Sequence, residues 1–175
     1  MDKTTNKKPA ISTQSLVTMA IFAAILSVSA YASIPIPLPS NPHITLLNFV
    51  ILLVALLFPL EQSFLVILVW MLLGILGVPV FIAGGSGFGY IIGPYGGYTA
   101  TFLVVAVVLP LIRGKKYNRI RYTAAAIVGV LIIDILGMLW LMLQNHLSLS
   151  AAFLAGFVPV SYTHLRAHET PEHLV

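Results

Sequence analysis

Charged side chains are almost absent from most of this chain, and that absence restricts it to a membrane-embedded fold. Between Pro9 and Ile112 the only formally charged residue is Glu61. Over all 175 residues, 59% are hydrophobic and 8% are charged, whereas a soluble domain carries about 25% charged residues. These features predict an all-α protein that crosses the lipid bilayer several times, because helices satisfy their own backbone hydrogen bonds in hydrocarbon.

The apolar residues fall into six segments that predict helices 1 to 6. Their approximate ranges are 13–32, 44–58, 62–76, 98–111, 122–143 and 149–158. Predicted helices 2, 3 and 4 are shorter than the roughly 20 residues that span a bilayer core, so the loops beside them should enter the membrane zone. Pro59 ends predicted helix 2. Four prolines within residues 33–42, the Pro-rich loop, favour extended or turn structure there.

Basic residues flank the predicted helices on one side only. The polar residues 1–12 contain three lysines, and residues 113–121 contain five lysines and arginines. Under the positive-inside rule both segments lie in the cytoplasm. The Pro-rich loop and the Gly-rich loop, residues 77–97, contain no Lys or Arg and are then expected on the outer face of the cell membrane. The net charge of +4 is explained in this way and does not predict nucleic-acid binding.

The Gly-rich loop is the most distinctive segment, and it predicts one wall of a small-molecule site. Irregular backbone persists at membrane depth only where it is buried in protein or lines a cavity. Tyr90, Tyr95 and Tyr98 are placed to flank an apolar ligand. Gly96 and Gly97 lie at the N-terminus of predicted helix 4, where free backbone N–H groups and the helix dipole favour an anion such as a carboxylate.

Two polar residues stand out inside the predicted helices. Asp134 is the only acid within a predicted span. A charge is costly there, so we expect it in or near a ligand site, the alternative being a neutral carboxyl bonded to a neighbouring helix. Asn48, near the outer end of predicted helix 2, is expected to bind a urea-like or amide-like ligand or to bond another helix. Trp70 and Trp140 are expected to pack rather than to stack on a ligand.

Small side chains recur along one face of predicted helix 1, notably Ala20 and Ala24. Such residues let helices approach closely in lipid, so this face either docks a partner membrane protein or packs internally. The predicted spans hold no nucleophile–base set, no metal-binding motif and no pair of carboxylates. We therefore expect a binding or transport protein that is not an enzyme and needs neither metal nor cofactor.

The end of the chain differs in character from the rest. Residues 160–175 hold three of the five histidines and show no apolar periodicity. Back-translation gives DNA that resembles a transposase adapter of short-read libraries. We therefore expect this tail to be non-native and the membrane domain, residues 13–159, to be truncated within predicted helix 6. A metal site built from the histidines and glutamates of the tail is not expected.

Several motifs occur in a specific order along the chain: Ile34-Pro-Ile-Pro-Leu-Pro39, Pro42-His-Ile-Thr-Leu46, Gly74-Ile-Leu-Gly-Val-Pro-Val-Phe-Ile-Ala-Gly-Gly85 and Gly93-Pro-Tyr-Gly-Gly-Tyr98. Together they resemble BioY, the family of substrate-binding (S) components of energy-coupling-factor (ECF) biotin transporters. The resemblance covers about residues 13–159 and implies a six-helix S-component fold that binds biotin near the outer face. It implies that Ser86, Tyr90 and residues 93–98 form the binding wall. It also implies that the Ala20 and Ala24 face docks on a transmembrane coupling protein driven by two cytoplasmic ABC ATPases.

The chain departs from the family pattern at two places. Leu47 stands where the family often has Gln, with Asn48 beside it. The family also carries Pro-Phe-x-x-Gly-Asp-x-x-Lys on helix 6, whereas this chain has only Phe157-Val-Pro159 before the tail. The missing Asp and Lys predict weakened biotin binding by this chain. An S component for another vitamin, such as thiamin or riboflavin, and a membrane scaffold without a ligand are the alternatives.

Overall fold

Helices make up most of the computed structural model, which describes residues 12–35 and 43–146. The elements are, in chain order, α1 (Thr13–Ser29), β1 (Ser33–Pro35), β2 (His43–Thr45), α2 (Leu46–Leu57), α3 (Leu60–Ile75), α4 (Phe88–Ile92), α5 (Gly96–Arg113) and α6 (Arg119–Asn145). Predicted helices 4 and 5 correspond to α5 and α6. Predicted helix 6 and the tail lie outside the described residues.

Local side-chain chemistry explains where the helices start and stop. Ser12, Thr45 and Asn118 each accept a backbone N–H in the first turn of the helix that follows, α1, α2 and α6 respectively. These short polar side chains satisfy groups that have no partner within the helix. The second helix ends because Phe58 precedes Pro59 and is extended, with φ −88° and ψ 149°.

Four short elements in and beside the loops do not follow from the sequence pattern. The strands β1 and β2, which we call the hairpin, pair antiparallel, with Ser33 opposite Thr45 and Ile34 opposite Ile44. The Gly-rich loop contains the helix α4 and, before it, a 3₁₀ turn over Ile82–Gly84. The loop is therefore an ordered structure rather than a simple connection.

The helix α5 is the centre of the bundle. It packs against α2, α3, α4 and α6, while α1 packs against α2 and α3. Trp70, Phe102 and Ile51 are fully buried in the core. On the outside, apolar side chains such as Val28 and Leu143 are about 70% exposed (71% and 70%). Apolar residues facing outward along several helices are typical of surfaces that contact lipid.

Helix length also fits a membrane protein with unusual loops. Among the described helices, α5 with 18 residues and α6 with 27 residues are long and apolar enough to cross a membrane. The helix α2 has only 12 residues, which at 1.5 Å per residue covers about 18 Å. The prediction that the loops beside the short helices enter the membrane zone fits these lengths.

The bundle has two chemically different ends. The hairpin, the Gly-rich loop and the first turns of α2 and α5 lie at what we call the loop end. The α2–α3 turn and the α5–α6 connection lie at the basic end. There the Arg113 guanidinium donates to the Phe58 carbonyl oxygen and, over 2.9 Å, to the Tyr122 hydroxyl. This arginine ties three helices together at the end that carries the positive charge.

Candidate ligand-binding site

The Gly-rich loop contacts the residues that end α1 and follow it. The Tyr31 hydroxyl, which follows α1, donates to the Pro79 carbonyl oxygen in the Gly-rich loop over 2.5 Å. The Ala83 N–H donates to the Ala30 carbonyl oxygen over 3.4 Å. The Gly-rich loop therefore lies at the end of the bundle where the chain enters the Pro-rich loop, which agrees with the prediction that both loops share one face. The side of the membrane on which this face lies stays a prediction.

The first half of the Gly-rich loop is seated on α3. A Cβ at Gly74 would overlap the Phe81 ring, so this glycine is the floor on which Phe81 rests. The Phe81 ring meets the Trp70 ring edge to face, with centroids 5.3 Å apart. The Gly87 N–H donates to the Gly74 carbonyl oxygen over 2.7 Å. Gly87 has φ 84°, a conformation that glycine adopts without strain, and it directs the chain into α4.

Tyr90, on α4, offers a buried hydroxyl to the interior of the loop end. Its ring stacks on Phe81, with centroids 4.7 Å apart. The hydroxyl is buried and has no hydrogen-bond partner of good geometry among the described residues, although the Thr99 side chain and the Ile82 backbone face it. Burial raises the pKa of Tyr90 to about 12, so the hydroxyl keeps its proton at neutral pH. A buried donor whose neighbours are poorly aligned for a hydrogen bond is costly, which makes it a candidate to bind a ligand.

Three of the predicted site residues form one group, which we call the tyrosine cluster: Tyr90, Tyr95 and Tyr98. The Tyr95 phenol is close enough to those of Tyr90 and Tyr98 to interact with them electrostatically. The carboxyl group of Asp134, which is buried on α6, interacts in the same way with Tyr98. The structure therefore brings the predicted acid of α6 to the predicted tyrosines of the loop end.

The helices α5 and α6 interlock beside the tyrosine cluster. A Cβ at Gly137 of α6 would overlap the Tyr98 ring of α5, and a Cβ at Gly97 of α5 would overlap the Trp140 side chain of α6. Each helix thus presents an aromatic side chain that covers a glycine of the other helix. This reciprocal arrangement, which we call the aromatic–glycine interlock, holds the loop ends of the two helices close together.

The N-terminus of α5 differs from the prediction in one respect. The Gly96 N–H donates to the Gly93 carbonyl oxygen over 3.0 Å, so it is not free to bind an anion. A Cβ at Gly96 would also overlap the backbone of Ile91. Close packing alone therefore explains why a glycine is needed at Gly96. At Gly97 the aromatic–glycine interlock explains it.

Two other predicted site residues lie at the loop end without a described role. Asn48 is half-buried in the first turn of α2, directly after the strand β2. Ser86 is exposed, one residue before the turn into α4. Their position at the same end as the tyrosine cluster agrees with the predicted site, and their contact with a ligand stays a prediction.

The sequence pattern misses two residues that fasten the Gly-rich loop. The Trp140 indole N–H donates to the Gly93 carbonyl oxygen over 3.0 Å, and the Gln144 amide donates to the Ile92 carbonyl oxygen over 2.8 Å. Trp140 is predicted only to pack, and Gln144 reads as part of a polar link. The sequence does show that these two residues are four positions apart, which puts them on one face of a helix. That spacing could have indicated that they act together.

The predicted docking face on α1 is open in the described part of the chain. Both Ala20 and Ala24 are exposed. They lie one turn apart on a helix whose exposed residues nearby, such as Ile21 at 53% and Ile25 at 42%, are apolar. A surface of small side chains within an apolar surround suits close approach by another membrane helix.

No group of three or more metal-binding side chains occurs among residues 12–35 and 43–146. The histidines and glutamates of the tail lie beyond these ranges. Within the described part, the site thus consists of phenol, amide, hydroxyl, carboxyl and backbone groups. Such groups bind an organic molecule through hydrogen bonds and apolar contacts.

Comparison with known proteins gives consistent results. The model of the BioY family matches residues 2–165. "Biotin transporter BioY2" of Lactococcus lactis is 34% identical over 152 residues, which cover 86% of this chain and 82% of the relative. "Biotin transporter BioY" of Thermotoga maritima is 34% identical over 145 residues, 82% of this chain and 83% of the relative.

A solved structure supports the fold. The S-component for biotin from an ECF-type ABC transporter superposes with a TM-score of 0.80 at 22% identity, over 90% of this chain and 89% of that chain. The predicted S-component fold is confirmed by this likeness. Because the family model and the curated relatives each match most of the chain, the chain belongs to the BioY family.

Proposed function

We propose that this protein is the biotin-capturing S component of an ECF-type importer in a bacterial cell membrane. The observation that carries the proposal is the similarity to proteins named biotin transporters, at 34% identity over more than four fifths of both chains. The protein binds its substrate and delivers it, and it catalyses no reaction of its own.

The loop end supplies groups that suit the parts of biotin. Biotin combines a urea-like ring and an apolar body with a carboxylate tail. In the proposed complex the tyrosine cluster flanks the apolar body, and the buried Tyr90 hydroxyl donates a hydrogen bond to the ligand. Asn48 binds the urea-like ring, since its amide group both donates and accepts hydrogen bonds. The Asp134 carboxyl group offers the same ring a second hydrogen-bonding side chain. The rest of the wall consists of close-packed backbone and one short hydroxyl group. The backbone belongs to Gly93, Gly96 and Gly97, and the hydroxyl belongs to Ser86.

The orientation and partners follow the predicted topology. The basic end faces the cytoplasm and the loop end faces outward, where biotin is captured. The exposed Ala20 and Ala24 face of α1 docks on a transmembrane coupling protein, which works with two ABC ATPases. The contrast between the two ends, with a charged end and an end without Lys or Arg in its loops, supports this orientation.

The experiment is a binding assay on two chains in detergent or nanodiscs. One is the 175-residue chain, and the other has its residues after Pro159 restored from the source genome. We expect the restored protein to retain labelled biotin in the presence of excess thiamin or riboflavin, and the 175-residue chain to retain less. Retention of thiamin or riboflavin in place of biotin would reassign the substrate, and retention of no vitamin by the restored protein would favour a scaffold.

A matched pair of variants tests the site in the restored protein. Tyr90→Phe removes the buried hydroxyl and is expected to weaken biotin binding by roughly tenfold, the effect of one buried hydrogen bond. Tyr117→Phe makes the same change on an exposed tyrosine near the basic end and is expected to leave binding unchanged. If the two variants bind biotin equally well, the Tyr90 hydroxyl does not contribute to the site.

A further inference from the structure

Two side chains at the end of α6 bind consecutive carbonyl groups of the Gly-rich loop. Trp140 and Gln144 lie one helical turn apart, so both project from the same face of α6. Their N–H groups reach the carbonyl oxygens of Gly93 and Ile92, at 3.0 Å and 2.8 Å. The pair therefore grips the loop at the point where α4 ends.

The helix α4 needs such external support. It has five residues, far fewer than the roughly 12 that an isolated helix needs. Its last carbonyl groups have no partner within the helix, and the Gln144 amide satisfies that of Ile92. The Gly93 carbonyl oxygen accepts both the Trp140 indole N–H and the Gly96 N–H. Most of the external hydrogen bonding at the end of α4 thus comes from α6.

At its C-terminal end, α4 is bound to a well-packed side chain of α6. At its N-terminal end, α4 is joined to the rest of the Gly-rich loop by a turn. Trp140 is held against Gly97 by the aromatic–glycine interlock. At its start, α4 follows Gly84 and Gly87, with φ 76° and 84°, and the preceding loop is attached to α1 and α3. Glycines without a Cβ permit rotation at this junction. Loss of the two α6 hydrogen bonds would leave α4 held by its packing against α5 and by its contact with Phe81.

We propose that Trp140 and Gln144 act as positioning residues, which we call the α6 clasp. The clasp holds α4 closed over the loop end, and with it Tyr90 and the neighbouring Tyr95, so that it sets how long a bound ligand stays. This role rests on the proposed function, because α4 carries part of the biotin site. Neither clasp residue needs to touch the ligand itself.

The test compares variants with matched controls in the restored protein described above. Trp140→Phe and Gln144→Leu each remove one donor of the clasp. Tyr117→Phe is the control for the aromatic change, since it removes a polar group from an exposed aromatic side chain near the basic end. Asn145→Leu is the control for the amide, because within the described part of the chain the Asn145 amide donates to the Leu141 carbonyl oxygen of its own helix. Gln144→Lys keeps an N–H donor of similar reach and serves as the rescue.

Two readouts separate the clasp from the binding site. Hydrogen–deuterium exchange is expected to speed up at least fivefold in residues 88–95 of the Trp140→Phe/Gln144→Leu protein and to stay unchanged in α5. Biotin dissociation is expected to speed up by as much as about 25-fold, because each of the two lost hydrogen bonds is worth about a factor of five. The controls should change neither value, and Gln144→Lys should restore most of the effect of Gln144→Leu.

The outcomes distinguish the two proposals. Unchanged exchange in residues 88–95 would overturn the clasp whether or not biotin binds. Faster exchange with unchanged biotin release would overturn its role in holding the ligand. Failure of the unaltered restored protein to bind biotin would overturn the proposed function and the ligand-holding role that rests on it.

Discussion

At the scale of single residues, two glycines decide how closely α5 and α6 approach. An alanine Cβ at Gly137 would overlap the Tyr98 ring, so we expect Gly137→Ala to lower the free energy of unfolding by about 1–3 kcal/mol. Helix propensity alone predicts the opposite sign, a gain of about 1 kcal/mol. The melting temperature of the Gly137→Ala protein in detergent, compared with that of the unaltered protein, shows which sign is correct.

The control for this prediction is Gly89→Ala on α4. A Cβ there has no neighbour within 4 Å, so the melting temperature should stay the same or rise. The double variant Gly137→Ala/Tyr98→Leu should recover part of the loss, because the smaller side chain makes room. Equal losses at both glycines would contradict the interlock.

Sequence reasoning finds some residues of the candidate site and misses others for a physical reason. Asp134 is visible because a carboxyl group in an apolar segment is costly, and Tyr90 because aromatic side chains rarely cluster in a Gly-rich loop. The clasp residues Trp140 and Gln144 are missed because the carbonyl groups that they bind become available only when α4 folds. No local pattern around position 140 reveals that partner, 47 residues earlier in the chain.

At the scale of the elements, Arg113 is the main connection at the basic end. It joins α5 to the α2–α3 turn through Phe58 and to α6 through Tyr122, whose ring lies 5.7 Å from the guanidinium carbon. Arg113→Gln should lower the free energy of unfolding by about 1–3 kcal/mol, since charged donors contribute more than neutral ones. Biotin binding per folded molecule should not change, because the site lies at the other end.

Lys116→Gln is the matched control for this prediction, because it removes one positive charge from an exposed side chain of the same connection. Thermal unfolding should show a loss for Arg113→Gln only. Similar losses for the two variants would mean that net charge, rather than the contacts of Arg113, stabilises this end.

The elements themselves are predicted well where they are long. The predicted bounds of α3 and α5 differ from those observed by at most two residues, because apolar composition and Pro59 fix them. The hairpin is missed, since its pairing joins residues on both sides of the Pro-rich loop. The helix α4 is missed because five residues, Phe88–Ile92, are too few to show helical periodicity.

At the scale of the whole molecule, the proposed docking of the α1 surface on a partner would link capture to delivery. Ala20→Leu/Ala24→Leu adds bulk to an exposed face, so stability should change by no more than about 0.5 kcal/mol, and biotin binding should persist. Assembly with the coupling protein requires close helix approach, which leucine side chains prevent. We therefore expect co-purification with the coupling protein and the ATPases to fall at least tenfold.

The control is Ala124→Leu, the same change at an exposed position of α6, which should leave the complex intact. If the α1 alanines instead pack inside the protein, the double variant should unfold at lower temperature and lose biotin as well. A normal melting temperature, normal biotin binding and a lost complex together would assign this face to the partner. That result would also separate the two tasks of the protein in space, with capture at the loop end and docking along the side of α1.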